Sequence, residues 1–217
     1  MPEEKEEGLL RILIVPHAGY EYSGGVAGKG FSLIRRGCFK KAVVVGPSHY
    51  VYLFDVLTSN RKYWETPLGK VKLFNIDFMS GDIDQEHSIK NQVPFLQKSG
   101  VEEIMPLMVG KISNEQAEEN AKKLSKLKNV LFVFSTDLSH FLSYGDAVVS
   151  DKRSIEIIEN LDFEKFKYVD ACGYFPLLIM ANLCKLKKWK PKLVEYKNSG
   201  DIIGDKSTVV GYASFFF

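Results

Sequence analysis

The feature that most constrains the fold is a series of short apolar runs that alternate with stretches of helical periodicity. The runs are rich in Val, Ile, Leu or Phe, as expected for strands covered on both faces. They are Arg11–Val15, Ala42–Val45, Glu103–Met108, Val130–Ser135 and Thr208–Phe216. The helical stretches are Gly24–Arg36, His87–Lys98, Asn114–Lys126, Ser150–Asn160 and Gly173–Lys187. This alternation predicts an α/β fold with a central, mostly parallel or mixed sheet flanked by helices.

Length and composition favour one domain that spans residues 1–217. The chain is 45% hydrophobic and 26% charged, which is ordinary for a globular domain with a sizeable core. No linker, internal repeat or low-complexity segment interrupts it. The formal net charge is +2, so the sequence lacks the clear basic excess that is typical of nucleic-acid binders. We therefore expect no nucleic-acid partner.

Cysteine usage and the N-terminus predict a cytoplasmic protein. The three cysteines, Cys38, Cys172 and Cys184, are odd in number and form no Cys-x-x-Cys motif, which argues against a disulfide framework. The first seven residues are too charged for a secretory signal. The longest apolar stretches fall far short of a membrane span, so we expect no membrane association.

Histidines are concentrated where the predicted strands end. His17, His49 and His140 each lie just past such a strand, and His87 starts a predicted helix. In open α/β sheets, ligands bind beyond the carboxyl ends of the strands. Imidazole is the commonest metal ligand and the usual acid or base near neutral pH. The pattern therefore predicts a metal site at this edge of the sheet.

Each of these residues also has a structural interpretation. A lone histidine in a turn is usually a hydrogen-bonded loop residue. Asp137 would also serve as the N-cap of a following helix. Cys172 would also serve as a small buried apolar side chain, the role that we assign to Cys38 and Cys184. The segments Trp64–Gly69 and Asn198–Asp201 are typical of turns.

Eight short motifs, in order along the chain, resemble those of the Memo family, the mediator of cell motility in animals with many archaeal and bacterial relatives. The resemblance extends from about residue 12 to the end of the chain. Any one motif is weak, but the ordered set is specific. The motifs are Pro16–Tyr20 with Tyr22–Gly24, Gly46–His49, Trp64–Gly69, Glu86–Ser88, Ser135–His140, Asp170–Gly173, Ser199–Asp201 and Val209–Ala213.

The resemblance implies a fold similar to the catalytic subunit of class III extradiol ring-cleaving dioxygenases, which hold non-haem Fe(II) on two histidines and a carboxylate. By motif, His49 and His87 match the two histidine ligands, and Cys172 stands where the dioxygenases have the carboxylate. His140 matches their catalytic histidine beside the metal. Asp137 and His17 match other residues that line the Memo pocket.

A cysteine in place of the carboxylate changes the expected chemistry. Two histidines and a carboxylate form the facial triad of non-haem iron oxygenases, whereas a thiolate is softer and favours zinc, Cu(I) or thiolate-bound iron. A thiolate is also readily oxidised. We expect one metal ion bound by His49, His87 and Cys172, with Fe(II) as the first choice and copper or zinc as alternatives. Ring-cleaving activity does not follow from the resemblance.

Three functions fit this site. The first is a metal-dependent oxidoreductase, using non-haem iron or copper. The second is a non-catalytic module that binds a peptide or partner in the same cleft. The third is a zinc-type hydrolase, because zinc-bound water can reach a pKa near 7. The expected cleft ligand is a small molecule or a peptide, and the resemblance also implies a radical-enzyme-like protein and a small companion protein as partners.

Five further residues have predicted roles around the metal. His140 is the candidate for proton transfer, with Asp137 as its partner, and the two side chains share one side if the segment turns helically. The alternative is that His140 only hydrogen-bonds a metal ligand. Tyr20, Trp64 and Tyr212 lie in or beside the motifs, and aromatic rings commonly line small-molecule pockets. Core packing is the alternative for each ring.

Overall fold

The structure is a computed structural model that describes residues 11–217. The charged N-terminal segment, for which the sequence predicts no secretory signal, lies outside the described residues. None of the helices within residues 11–217 has the length and apolar character needed to cross a membrane.

The described residues form strands and helices that alternate along much of the chain. The strands are β1 (Ile12–Val15), β2 (Lys41–Pro47), β3 (Val56–Ser59), β4 (Tyr63–Thr66), β5 (Gly69–Leu73), β6 (Met79–Gly81), β7 (Glu103–Val109), β8 (Val130–Ser135), β9 (His140–Leu142), β10 (Lys192–Asn198) and β11 (Val209–Phe216). The helices are α1 (Tyr20–Ser32), α2 (His87–Lys90), α3 (Val93–Lys98), α4 (Asn114–Ser125), α5 (Tyr144–Asn160), α6 (Tyr174–Lys187) and α7 (Ser199–Ile203), with a 3-10 turn at Phe166–Tyr168.

One mixed sheet organises the fold. Its main path runs in the order β10-β11-β1-β8-β2-β7-β3-β6. The four central strands β1, β8, β2 and β7 are parallel, whereas β11 is antiparallel to β1 and β3 is antiparallel to β7. Strands β4 and β5 form a hairpin whose second strand pairs with β7, and β9 pairs with β11. The predicted α/β class with a mostly parallel or mixed sheet is confirmed.

The central strands are buried on both faces. In β1, Ile12 and Ile14 belong to one apolar cluster, whereas Leu13 and Val15 belong to a second cluster on the other face. Helices α4, α5 and α6 contribute to the first cluster, and α1, α2 and α3 contribute to the second. Side chains alternate across a strand, so continuous apolar runs are what a sheet covered by helices on both faces requires.

The structure differs from the prediction in several elements. The first predicted helix spans Tyr20–Ser32 rather than Gly24–Arg36, and the fourth begins at Tyr144 rather than Ser150. The segment Asn198–Asp201, predicted as a turn, caps and begins α7.

The predicted helix His87–Lys98 is two short helices, α2 and α3, separated at Asn91 and Gln92. Pro94, in the first turn of α3, has no N–H to donate to the carbonyl of Lys90, so the helical ladder breaks there. At the break, the side-chain amide of Asn91 donates to the carbonyl of His17 at 2.9 Å, which links this segment to the loop after β1.

Candidate metal centre

Three loops meet at the carboxyl ends of adjacent parallel strands. His17 follows β1, Asp137 follows β8 and His49 follows β2, and these strands are neighbours in the sheet. Because parallel strands end at the same edge, residues far apart in the chain are brought together there. The backbone N–H of His17 donates to Oδ1 of Asp137 at 2.7 Å, which joins the first two loops directly.

Three imidazole rings form the centre of this edge. The ring centroids of His49 and His87 are 4.6 Å apart. The ring of His17 lies 5.1 Å from that of His49 and 5.4 Å from that of His87. His17 is buried, whereas His49 is exposed and His87 is partly exposed. The rings therefore form a cluster with one buried side and one side open to solvent.

Cys172 supplies a sulfur atom at the buried side of the cluster. It lies just before α6, and its Sγ is 3.3 Å from Nε2 of His17. The same sulfur accepts the backbone N–H of Asp137 at 3.3 Å. Burial, together with the nearby charge of Asp137, raises the pKa of the Cys172 thiol to about 12. A cation beside the sulfur would favour the thiolate, because metal binding displaces the thiol proton.

Potential metal ligands fall into two overlapping groups. His17, His49 and Cys172 each offer a ligand atom within 4.8 Å of the others, and so do His49, Glu86 and His87. His49 is common to both groups. The predicted trio of His49, His87 and Cys172 is therefore divided between them, and its role as a ligand set stays a prediction.

The Nδ1 atoms of all three rings are occupied by protein groups. Nδ1 of His49 is 2.9 Å from Oε1 of Glu86, and Nδ1 of His87 is 2.9 Å from the hydroxyl of Tyr50. Nδ1 of His17 is 2.9 Å from Oγ of Ser135. Metal-binding histidines commonly have one ring nitrogen held by a carboxylate or other polar group while the other binds the ion. The residues present therefore fit a metal ion bound through Nε2 atoms and a thiolate.

Glu86 is the buried carboxylate that fixes His49. It accepts the backbone N–H of His49 at 2.8 Å and that of Ser88 at 3.0 Å, in addition to the ring contact. Burial disfavours the charge on Glu86, but these hydrogen bonds outweigh it and lower its pKa to about 2. Burial, with the charge of nearby His49, lowers the pKa of both His17 and His87. The two rings are therefore neutral at pH 7, which is the form that binds metals.

Asp137 lies inside the site, and His140 lies at its rim. Asp137 is buried and its pKa is raised by that burial, although the backbone N–H of His17 opposes the shift. His140 is exposed and begins β9. Its charge opposes the rise in the pKa of Asp137 that burial causes, and it adds slightly to the fall in the pKa of His17. The roles of Asp137 and His140 in catalysis stay predictions.

The segment between Asp137 and His140 has no regular secondary structure and is not helical. The N–H of Leu138 donates to the carbonyl of Gly211 at 2.8 Å, and the N–H of Ser139 donates to Oδ1 of Asp151 at 2.9 Å. These bonds tie the segment to β11 and α5, so the helical turn that would align the two side chains does not form. Asp137 is also not a helix cap, because the N-cap of α5 is Ser143.

The three predicted aromatic pocket residues have different surroundings. Tyr20 is half exposed, and its hydroxyl donates to the carbonyl of Asn91 at 3.0 Å. Trp64 is buried, its indole N–H donates to Asp84 at 2.8 Å, and its ring belongs to the apolar cluster of α1–α3, which favours core packing. Tyr20 and Trp64 nevertheless line one cleft of about 190 Å³. Tyr212 is buried, and its pKa is raised by that burial and by the charge of Asp137.

Four residues around the site had no role assigned from the sequence. They hold the histidines in place, and they are Glu86, Tyr50, Ser135 and Gln92. Glu86 and Tyr50 are adjacent in sequence to His87 and His49 and could have been suspected on that ground. Nothing local marks Gln92, whose amide donates to the carbonyl of Pro16 at 2.9 Å and to Oγ of Ser135 at 3.0 Å.

Comparisons with known proteins agree with the motifs. A sequence model of Memo-like proteins matches residues 1–216. A MEMO1 family protein of Nitrosopumilus maritimus is 35% identical over 99% of this chain and 86% of its own. One from Sulfurisphaera tokodaii is 32% identical over 100% of this chain and 86% of its own.

A solved structure shares the fold at low sequence identity. The crystal structure of an uncharacterised protein, JW3007, from Escherichia coli K12 superposes with a TM-score of 0.55 at 12% identity. The match covers 95% of this chain and 99% of that one, so it supports the whole architecture and nothing more specific. From the family match and the relatives together, the chain belongs to the Memo family.

Proposed function

We propose that this protein is a metal-dependent oxidoreductase that binds one metal ion through His49, His87 and Cys172. The observation that carries the proposal is the hydrogen bonding of the rings. His49 and His87 each have Nδ1 held by another side chain, Glu86 or Tyr50, which leaves Nε2 for a ligand. A free thiol completes the donor set at the buried side of the cluster. A purely structural role for these residues would not explain why three imidazoles and one sulfur meet at the same edge of the sheet.

The donor set restricts the choice of metal. Two neutral nitrogens and one thiolate suit Fe(II), copper or zinc, and they disfavour the hard ions that prefer oxygen ligands. We propose Fe(II) first, because the scaffold resembles that of non-haem iron enzymes. A redox-active ion held by three protein ligands would supply one-electron chemistry and open positions for small ligands.

The chain's own residues would orient the ligands and move protons. Glu86 and Tyr50 hold Nδ1 of His49 and of His87, so that Nε2 of each ring would be available to the ion. His140 is exposed at the rim, and it would take a proton from a hydroxyl group of a substrate that approaches from solvent. The carboxylate of buried Asp137 accepts the backbone N–H of His17 and so fixes the loop that carries His17.

The proposed substrate is a small molecule or a peptide that binds over the exposed face of the histidine cluster. Exposed aromatic side chains lie along the loops that carry the histidines, including Tyr50, next to His49, and Phe141, next to His140. Such rings suit an apolar or aromatic group. We also propose a cytoplasmic location, supported by three free cysteines, and leave the radical-enzyme-like and small companion proteins as proposed partners.

Metal analysis of matched cysteine variants tests the site. Protein purified without oxygen and loaded with Fe(II) should bind about one ion per chain. Cys172→Ser should weaken binding by about 100-fold or more with an unchanged circular dichroism spectrum, because it removes a ligand. Cys38 is exposed, so its predicted role as a buried apolar side chain is wrong, whereas that of Cys184 is confirmed. Cys38→Ser, the same change at this exposed thiol, should bind like the parent protein. Equal metal content in Cys172→Ser and the parent would remove Cys172 from the ligand set.

Oxygen consumption then tests the oxidoreductase. Fe(II)-loaded protein is mixed with a panel of catechol-type compounds and other reductants in an oxygen electrode, with zinc-loaded protein as the control. Turnover with iron and none with zinc supports the proposal. Ester or amide hydrolysis by the zinc form would instead favour a hydrolase. Metal binding with no turnover of either kind would favour a binding module.

A further inference from the structure

His17 has two interpretations that the cluster geometry alone does not separate. A ring nitrogen of His17 lies within 4.8 Å of ligand atoms of His49 and Cys172, so His17 could bind the same metal ion as these two residues. Its Nε2 also lies 3.3 Å from Sγ of Cys172, so it could be a hydrogen-bond donor to the sulfur. A nitrogen that carries a proton cannot bind a metal, so the position of the ring proton decides between the two.

The proton position follows from the orientation of the Gln92 amide. Nε2 of Gln92 donates to the carbonyl of Pro16 at 2.9 Å and to Oγ of Ser135 at 3.0 Å. Oε1 of Gln92 is buried with no hydrogen-bond partner among the described residues. Reversing the amide would place Oε1 against the carbonyl oxygen of Pro16, so that two acceptors would face each other and the bond to Pro16 would be lost. The carbonyl of Pro16 therefore fixes which end of the amide faces Ser135.

The hydroxyl of Ser135 then has one remaining acceptor to which it can donate its own proton. Its oxygen already accepts from Gln92, and the side chain is fully buried. Within residues 11–217, the remaining partner of this hydroxyl is Nδ1 of His17 at 2.9 Å. Ser135 therefore donates to Nδ1, and Nδ1 carries no proton. A neutral imidazole with an unprotonated Nδ1 carries its proton on Nε2.

We infer that His17 donates its Nε2–H to the sulfur of Cys172 and is a positioning residue for that thiolate, not a metal ligand. The inference rests on the proposed metal site. Gln92, Ser135 and His17 form one chain of hydrogen bonds that ends at the sulfur. With the backbone N–H of Asp137, the sulfur receives two N–H donors.

Two donors on a thiolate withdraw charge from its sulfur. Hydrogen bonding around a ligating cysteine is known to tune the electronic properties of a bound metal. His17 would therefore weaken charge donation from Cys172 to the ion and protect the thiolate from oxidation. It would also leave His49 and His87 as the two imidazole ligands, and so keep more of the coordination sphere open than a third histidine would.

Cobalt spectroscopy tests the inference. Full-length protein is titrated with Co(II) alone, and the thiolate-to-cobalt charge-transfer band in the near ultraviolet reports on the charge of the sulfur. In His17→Leu the band should remain and move to lower energy, because the donor is lost. His17→Gln should restore the band energy, because the side-chain amide again offers an N–H. Affinity should fall by about 10-fold in His17→Leu, as is typical of groups that support a ligand.

Ser135→Ala provides an independent variant within the same chain of hydrogen bonds. It should shift the band in the same direction as His17→Leu, by a smaller amount. Ser214→Ala is the matched control, because Ser214 is a buried serine whose hydroxyl has no hydrogen-bond partner among the described residues. The control should match the parent.

The results separate the two proposals. If both His17→Leu and His17→Gln lose cobalt to the extent of Cys172→Ser, His17 is a ligand and the inference is wrong. An unchanged band in His17→Leu also overturns it. If His17→Leu does not fold, Ser135→Ala decides, and an unshifted band there refutes the inference. A parent protein that binds no Co(II) overturns the metal site itself and this inference with it.

Discussion

Replacing Glu86 by glutamine tests how the site is held in the absence of metal. The substitution keeps the size of the side chain and removes its charge. The Glu86 carboxylate is buried and accepts from the backbone N–H groups of His49 and Ser88 and from the ring of His49. A glutamine offers one acceptor oxygen in place of two and directs an NH₂ group at a donor. At least one N–H in the cluster therefore loses its partner.

The lowered pKa of Glu86 gives the size of the expected loss in folding stability. A pKa that falls from the ordinary 4.5 to about 2 corresponds to about 3 kcal/mol of preferential stabilisation of the ionised side chain. The Glu86→Gln variant should therefore be about 3 kcal/mol less stable at pH 7, a loss of about 6–12 °C in Tm for a chain of this size. Because the folded-state pKa is the lower one, the stabilisation is complete above about pH 4.5 and is lost as the pH falls towards 2.

Urea unfolding of the metal-free proteins at pH 7 and at a series of acidic pH values measures this difference. The gap between parent and Glu86→Gln should be widest at pH 7 and should close on acidification. Glu102→Gln is the control, because it makes the same change at an exposed ion pair with Lys40 and should cost less than about 0.5 kcal/mol. A gap that does not vary with pH would show that the charge of Glu86 does not stabilise the cluster. The metal affinity of Glu86→Gln should also fall by about 10–100-fold.

Three other substitutions have defined outcomes. His140→Ala should retain metal and lower turnover by about 10²–10⁴-fold on any substrate that the parent converts, and full turnover would exclude His140 from proton transfer. Gly211→Ala should destabilise the protein by about 1–3 kcal/mol in urea unfolding, because the added Cβ would lie 2.1 Å from Oδ2 of Asp151, and an unchanged midpoint would contradict that clash. Phe134→Ala, at a fully buried position in β8, should cost about 3–5 kcal/mol with little effect on metal stoichiometry, and a cost below about 1 kcal/mol would be inconsistent with this packing.

The sequence predicted the interior of the fold better than its edges. The runs that became β1, β2, β7, β8 and β11 are strongly apolar because both of their faces are covered. Strands β3–β6, β9 and β10 were not predicted. Several of these are short and partly exposed, and their pairing is decided by partners distant in the chain, as for Val56 opposite Val109. A single-sequence pattern contains little information about such pairings.

For the site, the sequence located the histidines but not the groups that orient them. The rule that ligands bind beyond the carboxyl ends of strands was sufficient to bring His17 and His49 to one edge. The contacts of Gln92 could not be predicted in that way, because they link residues 43 and 76 positions apart. The non-helical conformation before His140 likewise depends on hydrogen bonds to Gly211 and Asp151 from other elements.

The wide spacing of the site residues along the chain has a consequence for folding kinetics. The contacts of His17 with Asp137 and Cys172 span 120 and 155 residues. Contacts of such long range form late, since large loops must close before they contribute to stability. A metal ion therefore has no assembled site to bind in the early stages of folding. Its effect should be to slow unfolding while leaving the refolding rate nearly unchanged, so that bound metal extends the lifetime of the native state.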